Sequence, residues 1–289
     1  MTLEQLRMFR AVIDAGSFRG AASRVHRTQP AVTHQIKALE HELGHLLVER
    51  KTATPTPAGK QLYDRACSLL SDADALRAAL HDFDETQSGE LRLGTSDTTA
   101  LYFLPDVVRR YRRAAPQGRL HIVNRPTETI AAMVLRGELD LGIVTLPVGS
   151  PQLEERLLFE QELVLVVPKK HPLAQRRRAR IGDLRNESFL LLEEMTRTGK
   201  LLRAYFRSRD FAPNVALDTS SFEVIKRYVA EGIGVSFLPR DAITSQDTRI
   251  AVVRIADLPR VAIGAIWRMG AYRTRAAVTF LEQLNQGQG

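Results

Sequence analysis

Among 289 residues the chain has one cysteine, Cys67, and one tryptophan. A single cysteine closes no disulfide within the chain, so the fold rests on its core, and a reducing, cytoplasmic compartment is expected. No apolar run approaches the ~18–20 residues of a membrane helix. The opening MTLEQLRMFRAV mixes acidic and basic residues and has no apolar stretch, so neither a signal peptide nor a membrane partner is expected. G-x-S-x-G, the Walker loop and G-x-G-x-x-G are also missing, and with them the commonest signatures of hydrolases, nucleotide hydrolysis and dinucleotide binding. Acidic residues are the minority, 33 against 41 Lys and Arg, a formal charge of +8.

The apolar fraction, 44 %, excludes a wholly disordered chain. The length allows two or three domains of roughly 100–200 residues each. The basic excess is uneven. Residues 1–60 hold nine Lys and Arg against five acids, a net of +4 in about a fifth of the chain. A small basic domain points to a polyanion partner, although solvated basic faces are common.

Apolar periodicity divides residues 1–60 into three helices. Leu3, Leu6, Phe9, Val12 and Ile13 mark the first, which Gly16 stops. Ser17 caps a short second helix with small apolar residues Ala21 and Ala22. Thr28 is the N-cap of a third, with Pro30 in its first turn, Ala31, Val32, Ile36, Leu39 and Leu43 on its buried face and Gly44 at its end. Next, Leu62, Ala66, Leu69, Ala73, Leu76, Leu80 and Phe83 recur at alternating spacings of four and three, a heptad seam that predicts a coiled-coil dimer helix. Cys67 beside it is expected to pack rather than to sense redox state. Gln87, Ser88 and Gly89 form a short linker. From residue 90 onward strands alternate with helices, which predicts parallel α/β sheets in two similar halves.

The second and third helices make a helix-turn-helix. With Val32, Ile36 and Leu39 inward, the third displays Gln29, Thr33 and Lys37 in successive turns, flanked by Pro30 and His34. Gln pairs with adenine, Thr bonds a base edge or packs on a thymine methyl, and Lys reaches guanine or phosphate. Helix N-terminal N–H groups and Arg27 hold a phosphate. A polar outer face on an ordinary helical domain is the plainer alternative.

In the same helix His41-Glu42-Leu43-Gly44-His45 fits H-E-x-x-H, which makes a zinc-dependent hydrolase the alternative function. That chemistry needs an unbroken helix from His41 to His45, whereas Gly44 stands at the expected helix end. No third ligand is apparent, and no metal or cofactor is expected. The run Arg176–Arg180 reads as a solvated loop in preference to a second nucleic-acid patch.

These residues carry a family resemblance. Phe9-x-x-Val12, Gly16-Ser17-Phe18, Ala21-Ala22, Thr28-Gln29-Pro30-Ala31-Val32-Thr33-x-Gln35-Ile36, Leu39-Glu40-x-x-Leu43-Gly44 and Arg50 closely resemble the LysR-type transcriptional regulators. So do Thr56-Pro57-Ala58-Gly59, Gly137-Glu138-Leu139-Asp140-Leu141, His171-Pro172-Leu173-Ala174, Val229-Ala230-Glu231-Gly232-Ile233-Gly234-Val235 and Leu238-Pro239. The resemblance covers essentially the whole chain. Val48 departs from it, standing where the family has Phe, and the wing at Lys51-Thr52-Ala53-Thr54-Pro55 is short.

The resemblance implies a winged helix-turn-helix over residues 1–58, a dimerising linker helix over 59–89, and an effector domain over 90–289 like a periplasmic binding protein. It implies no enzyme activity, double-stranded DNA as partner, a small-molecule effector, and a homodimer built up to a tetramer. The DNA-binding residues are then Arg27, Thr28, Gln29, Pro30, Thr33, His34, Lys37, Arg50 and Lys51. In open α/β sheets ligands lie beyond the carboxyl ends of strands, at helix N-termini. Three such places are rich in hydroxyls: Thr95 to Thr99, Thr127 with Thr129, and Thr196 to Thr198. Helix capping is the plainer role for such hydroxyls, and it is expected of Thr127 and Ser220. Regulators of this type use corresponding Ser and Thr positions for effectors, so the expected site is Ser96, Thr98, Thr127 and Thr198, suited to an anion or carboxylate; Asp97 opposes an anion unless turned away, or binds an amino group instead. It would lie between a lobe of residues 90–162 plus 266–289 and a lobe of 163–265.

Overall fold

The computed structural model describes residues 1–81 and 89–285, so Phe83 of the heptad seam and Gln87 and Ser88 of the linker lie outside the described residues. The first helix, α1 (Leu3–Ala15), starts in a capping box between Thr2 and Gln5 and ends at Gly16, whose φ of 60° requires the left-handed region. Ser17 caps α2 (Phe18–Arg24), and Thr28 caps α3 (Gln29–Leu43), which stops at Gly44 with φ 71°. Phe9, Val12, Val32, Ile36 and Leu39 are fully buried between these helices. Each such burial contributes about 1.5–3 kcal/mol, which fixes the helix angles far more firmly than propensity does. Leu43, expected inside, is exposed: it sits in the last turn, where the chain is already leaving the core.

A short wing follows. Val48 bridges Pro55, and the Glu49 amide donates to the Thr54 carbonyl at 2.9 Å. Val48 is buried with Leu47, so the smaller residue still seals the core. One carboxylate organises this corner. Glu40 is only 6 % exposed and accepts from the Leu47 amide at 2.9 Å and the Val48 amide at 3.3 Å, and its other oxygen takes the Arg50 guanidinium. The linker helix α4 (Pro57–His81) begins within the stretch Thr56-Pro57-Ala58-Gly59. Its Gly59 lies so close to the strand before the wing that a Cβ there would meet the Leu47 carbonyl oxygen at 2.0 Å. Ala66 and Leu70 of α4 are buried in the helix-turn-helix core, which divides the heptad seam: Ala66 faces inward while Leu69, Leu76 and Leu80 are exposed.

The remaining elements are β1 (Glu90–Thr95), α5 (Asp97–Tyr102), α6 (Leu104–Ala114), β2 (Arg119–Asn124), α7 (Thr127–Leu135), β3 (Leu141–Thr145), β4 (Leu153–Gln161), β5 (Leu163–Pro168), β6 (Arg178–Ala179), β7 (Ser188–Leu192), α8 (Arg197–Ser208), β8 (Asn214–Thr219), α9 (Phe222–Ala230), β9 (Ser236–Pro239), β10 (Ile250–Ile255), β11 (Val261–Arg268) and α10 (Arg275–Asn285). A five-stranded sheet has the order β2-β1-β3-β11-β4, a four-stranded sheet β6-β10-β5-β9, and β7 pairs with β8. The two larger sheets are mixed, whereas β7 and β8 run parallel as expected. β1 runs parallel to β2 and β3, but β11 is antiparallel to both β3 and β4, and β5 is antiparallel to β9 and β10. The parallel neighbours β1, β2 and β3 are joined through α5, α6 and α7, whereas β11 arrives from the second sheet and inserts antiparallel between β3 and β4.

Chain crossings follow from the pairing. β4 ends in the first sheet at Gln161, and β5 opens the second at Leu163. The whole of β11 belongs to the first sheet, so the chain is back by Val261 and not near Trp267 as expected. β4 itself, in which Glu154, Glu155 and Arg156 follow one another without alternation, and the short α5 were not expected.

Glu40→Ala leaves the Leu47 and Val48 amides without their acceptor and frees Arg50. It is expected to destabilise the N-terminal domain by about 2–4 kcal/mol. Chemical denaturation of the full chain should show this, together with faster hydrogen exchange at those two amides; unchanged exchange would remove Glu40 from its organising role.

Candidate DNA-reading face and effector cleft

The first turns of α3 are open to solvent. Thr28, Gln29, Pro30, His34 and Lys37 are exposed and Thr33 is half-buried. The Thr28 hydroxyl accepts from the Ala31 amide at 3.4 Å, so it fixes the helix start and leaves the neighbouring amides pointing outward. The Thr33 hydroxyl donates to the Gln29 carbonyl at 2.9 Å, and the Gln29 carboxamide makes no hydrogen bond among the described residues. Arg27 pairs with Glu4 at 3.0 Å while both stay more than half exposed, a weak tether that a phosphate can replace. Lys51 is exposed in the wing. Arg50 differs from the other eight residues. Its guanidinium is held by Glu40 and lies 5.5 Å from the Phe18 ring centre, so its first task is to fix the wing.

The zinc-hydrolase alternative is not supported. Gly44 ends α3 in the left-handed region, and the His45 amide turns back to the Glu40 carbonyl at 3.2 Å. His45 is therefore not one turn below His41 on a helix face. Glu42 takes the terminal ammonium of Met1 instead of addressing a metal. Among the described residues no group of three or more His, Cys, Asp and Glu could hold an ion.

Ser96, Thr98, Thr127 and Thr198 come together on a cleft of about 890 Å³, counting the solvent at its mouth. The β1 end and α5 supply Ser96, Asp97 and Thr98, the turn after β2 supplies Arg125 and Thr127, and the start of α8 supplies Arg197 and Thr198. Thr127 and Thr198 are buried residues whose hydroxyls make no hydrogen bond among the described residues. Neither is a cap. The cap position of α7 is Pro126, and α8 is capped by the hydroxyl of Thr196, which accepts from Gly199 at 3.0 Å. Ser220 does not cap α9 either; Ser221 occupies that position without a side-chain bond, and Ser220 lines the cleft. Ser96 spends its hydroxyl on Thr99 at 3.1 Å. Thr129 is exposed.

Sequence reasoning missed several lining groups: Arg125, Glu128, Thr145, Gln161 and Arg197. Gln161 is only 5 % exposed, and its carboxamide is unpaired among the described residues. Arg125, Glu128 and Arg197 adjoin the chosen threonines, a signal that could have found them. Gln161 ends a strand that alternation did not reveal.

Ion pairs cross between the sheets. Glu128 of α7 lies 3.3 Å from Arg197 Nε and 4.0 Å from Lys200 Nζ, both on α8. Deeper, Lys226 of α9 donates to the Tyr102 hydroxyl at 2.7 Å and the Ala242 carbonyl at 2.9 Å and lies 3.4 Å from Asp247, while Tyr102 also bonds Glu223. Burial pulls the Lys226 ammonium down, yet the hydrogen bonds to Tyr102 and Glu223 outweigh it and hold its pKa above the ordinary value. Asp247 is pushed up by burial but held below its ordinary value by the Thr244 amide and hydroxyl and by Lys226. Both remain charged at neutral pH within the second lobe, and Tyr102 of α5 carries the contact across from the first.

The architecture has known counterparts. The family model "Bacterial regulatory helix-turn-helix protein, lysR family" matches residues 3–60, and "LysR substrate binding domain" matches residues 84–289. A probable hydrogen peroxide-inducible genes activator of Streptomyces viridosporus is 34 % identical over 283 residues, covering 94 % of this chain and 89 % of the relative. A probable RuBisCO transcriptional regulator of Porphyra purpurea is 29 % identical over 301 residues, covering 98 % and 93 %. The solved structure of a full-length OxyR variant from Pseudomonas aeruginosa superposes with a TM-score of 0.81 at 28 % identity, covering 98 % of this chain and 94 % of that one. With a helix-turn-helix that exposes a polar reading face, and two α/β lobes around a hydroxyl-lined cleft, the chain belongs to the LysR family and is a DNA-binding transcriptional regulator with an effector-binding domain.

Proposed function

We propose that this regulator reads DNA with Gln29, Thr33 and Lys37 of α3 and switches on binding a small anion, a carboxylate above all, in the cleft between its lobes. The observation that carries the effector reading is the convergence of Thr127 and Thr198, buried and unpaired, at the N-termini of α7 and α8. Two helix dipoles and two arginines, Arg125 and Arg197, there favour a negative ligand. Arg197 Nε is buried and, although near Glu128, is not aligned to bond it, so a donor stands ready. Thr98 and Ser96 complete the hydroxyl set. The lobes divide as 90–162 with 261–285 and 163–260. A closed-cleft ligand shifts the balance of two states only by its unequal affinity for them, and a coupling to DNA of about 1–3 kcal/mol is expected.

Relatives named for peroxide response raise a thiol switch as a second reading. Here Cys67 is the one cysteine, it is fully buried in α4, and burial pushes its thiol up, with little thiolate at neutral pH. A bound ligand, not a disulfide within the chain, is the input. The protein acts without catalysis, in the cytoplasm, as a dimer joined through α4 and doubled to a homotetramer. The exposed Leu69, Leu76 and Leu80 supply the seam. Around the reading face, Arg27, Thr28, Pro30, His34 and Lys51 contact the backbone and groove edges, and Arg50 positions the wing.

Gln29→Ala and Thr33→Ala should each cost about 1–3 kcal/mol at the cognate site and relax base preference. Footprinting and competition binding check this; an unaltered footprint for the double variant would remove α3 from the groove.

Leu69→Arg with Leu76→Arg places like charges across the seam, where the burial cost is several kcal/mol. Sedimentation should then give a monomer with its helix content retained. An intact oligomer would mean that another surface joins the subunits.

Thr98→Val and Thr198→Val keep shape and remove a hydroxyl. In a thermal-shift screen of small carboxylates, each should weaken a ligand that stabilises the unsubstituted chain by about 0.5–1.5 kcal/mol, with dimerisation and ligand-free DNA affinity unaltered. Equal shifts in both variants would place the ligand elsewhere.

A further inference from the structure

The charge of this molecule sits in two places. Residues 1–60 carry +4. The seventeen residues from Lys169 to Arg185 hold seven Lys and Arg against one acid, a net of +6 out of +8 for the chain. Everything else together is net negative. The second cluster is built into the fold and is not a loose loop. Arg178 and Ala179 form β6, the edge of the four-stranded sheet, in parallel register with Arg254 and Ile255 of β10. The Arg254 amide donates to the Arg177 carbonyl at 3.3 Å, and the Lys169 amide to the Arg249 carbonyl at 2.8 Å. Leu173, Ala179 and Leu184, interleaved with the cations, are buried in the main core. The backbone is anchored, and the charged side chains are left outside.

Those side chains lack counter-charges. Arg176 approaches Asp183 at 3.9 Å, and that carboxylate already accepts from the Arg180 amide at 2.9 Å. Lys169, Lys170, Arg177, Arg178, Arg180 and Arg185 are exposed and have no carboxylate within ion-pair distance among the described residues. Elsewhere some arginines are paired, as in the two-pronged contact of Arg249 with Glu231. Six unpaired cations on one ridge repel one another, a cost that a bound polyanion relieves. Guarding a sheet edge against strand pairing needs only a charge or two.

We propose that this ridge at the outer edge of the second lobe binds the phosphate backbone of double-stranded DNA that flanks the site held by the helix-turn-helix. DNA presents one charge per ~1.7 Å of axis, a dense match for a row of guanidinium groups. Flanking DNA that reaches the ridge from a site held by α3 does so at high effective concentration, so contacts that are weak alone add to the total. Such a contact is separate from base reading by α3 and from the effector cleft.

The test uses the full-length protein on a random-sequence duplex of about 60 base pairs, nearly six helical turns, titrated across a range of salt. The ridge variant is Arg177→Gln with Arg178→Gln and Arg180→Gln. The charge-matched control is Arg113→Gln with Arg119→Gln and Arg207→Gln, three exposed arginines that also lack carboxylate partners among the described residues. The ridge variant should lose about tenfold or more in affinity at low salt, and its slope of log K against log salt should flatten by about 2–3. The control should change little. Restoring the charges as Arg177→Lys, Arg178→Lys and Arg180→Lys should recover most of the slope, which separates electrostatics from misfolding. The Gln29→Ala, Thr33→Ala variant should keep the non-specific slope, so failure of base reading and failure of the ridge are distinguishable. Equal losses in ridge and control variants, or no loss in either, overturn the proposal. Ridge-dependent binding to phosphatidylserine vesicles with an unaltered DNA slope assigns the surface to a lipid and overturns it as well.

Discussion

The linker helix α4 has to satisfy two domains at once. On one side Ala66 and Leu70 are buried in the helix-turn-helix core, and Gly59 permits contact with the strand before the wing. On another side the Arg268 guanidinium, at the end of β11, is held by Ser68 and Asp72, and Gly137 lies so close to Ser71 that a Cβ would meet its hydroxyl at 2.1 Å. The third side, with Leu69, Leu76 and Leu80, is left open. A helix has only enough circumference for about three such stripes, so the sequence of α4 is constrained along almost its whole described length.

The elements that grip α4 also reach the cleft. Ile263 of β11 lines the cleft, and Arg268 of the same strand meets the linker helix. Thr127 begins α7 at the cleft, and Gly137, just beyond the end of that helix, touches Ser71. Strands and helices transmit displacement because close-packed interiors do not deform smoothly. Glu128 with Arg197 and Lys226 with Tyr102 set the resting separation of the two sheets. The electrostatics of the cleft thus bear on the linker helix through two stiff elements rather than through loops.

Much of the local structure was legible in the sequence because it depends on neighbours in the chain. Gly16 and Gly44 end helices through their own backbone freedom, Ser17 and Thr28 cap the helices that follow them, and the spacing of Val32, Ile36 and Leu39 chooses the buried face of α3. The hydroxyls that line the cleft were legible as a pattern, since Thr127 and Thr198 stand where strands give way to helices. That same local reasoning misjudged which hydroxyls act as caps, because Pro126 and Thr196 already hold the cap positions of α7 and α8.

Tertiary structure alone decided the rest. Strand direction in the sheets depends on which strands meet across a crossing, and β11, arriving from the second sheet, inserts antiparallel between β3 and β4. Gln161 faces the cleft because β4 ends there, and no periodicity in a strand half polar on each face announces that. Arg50 is a solvated basic residue by sequence and a ligand of Glu40 by structure, because only folding brings a carboxylate ten positions away beneath it. The run from Arg176 to Arg180 reads as a loop, yet pairing with β10 and the burial of Ala179 make it a fixed edge. Helix ends, caps and apolar faces are settled within a few residues of chain, whereas strand partners, ion pairs and the walls of a cleft are settled by contacts between distant ones, and only the first kind is written in the order of the amino acids.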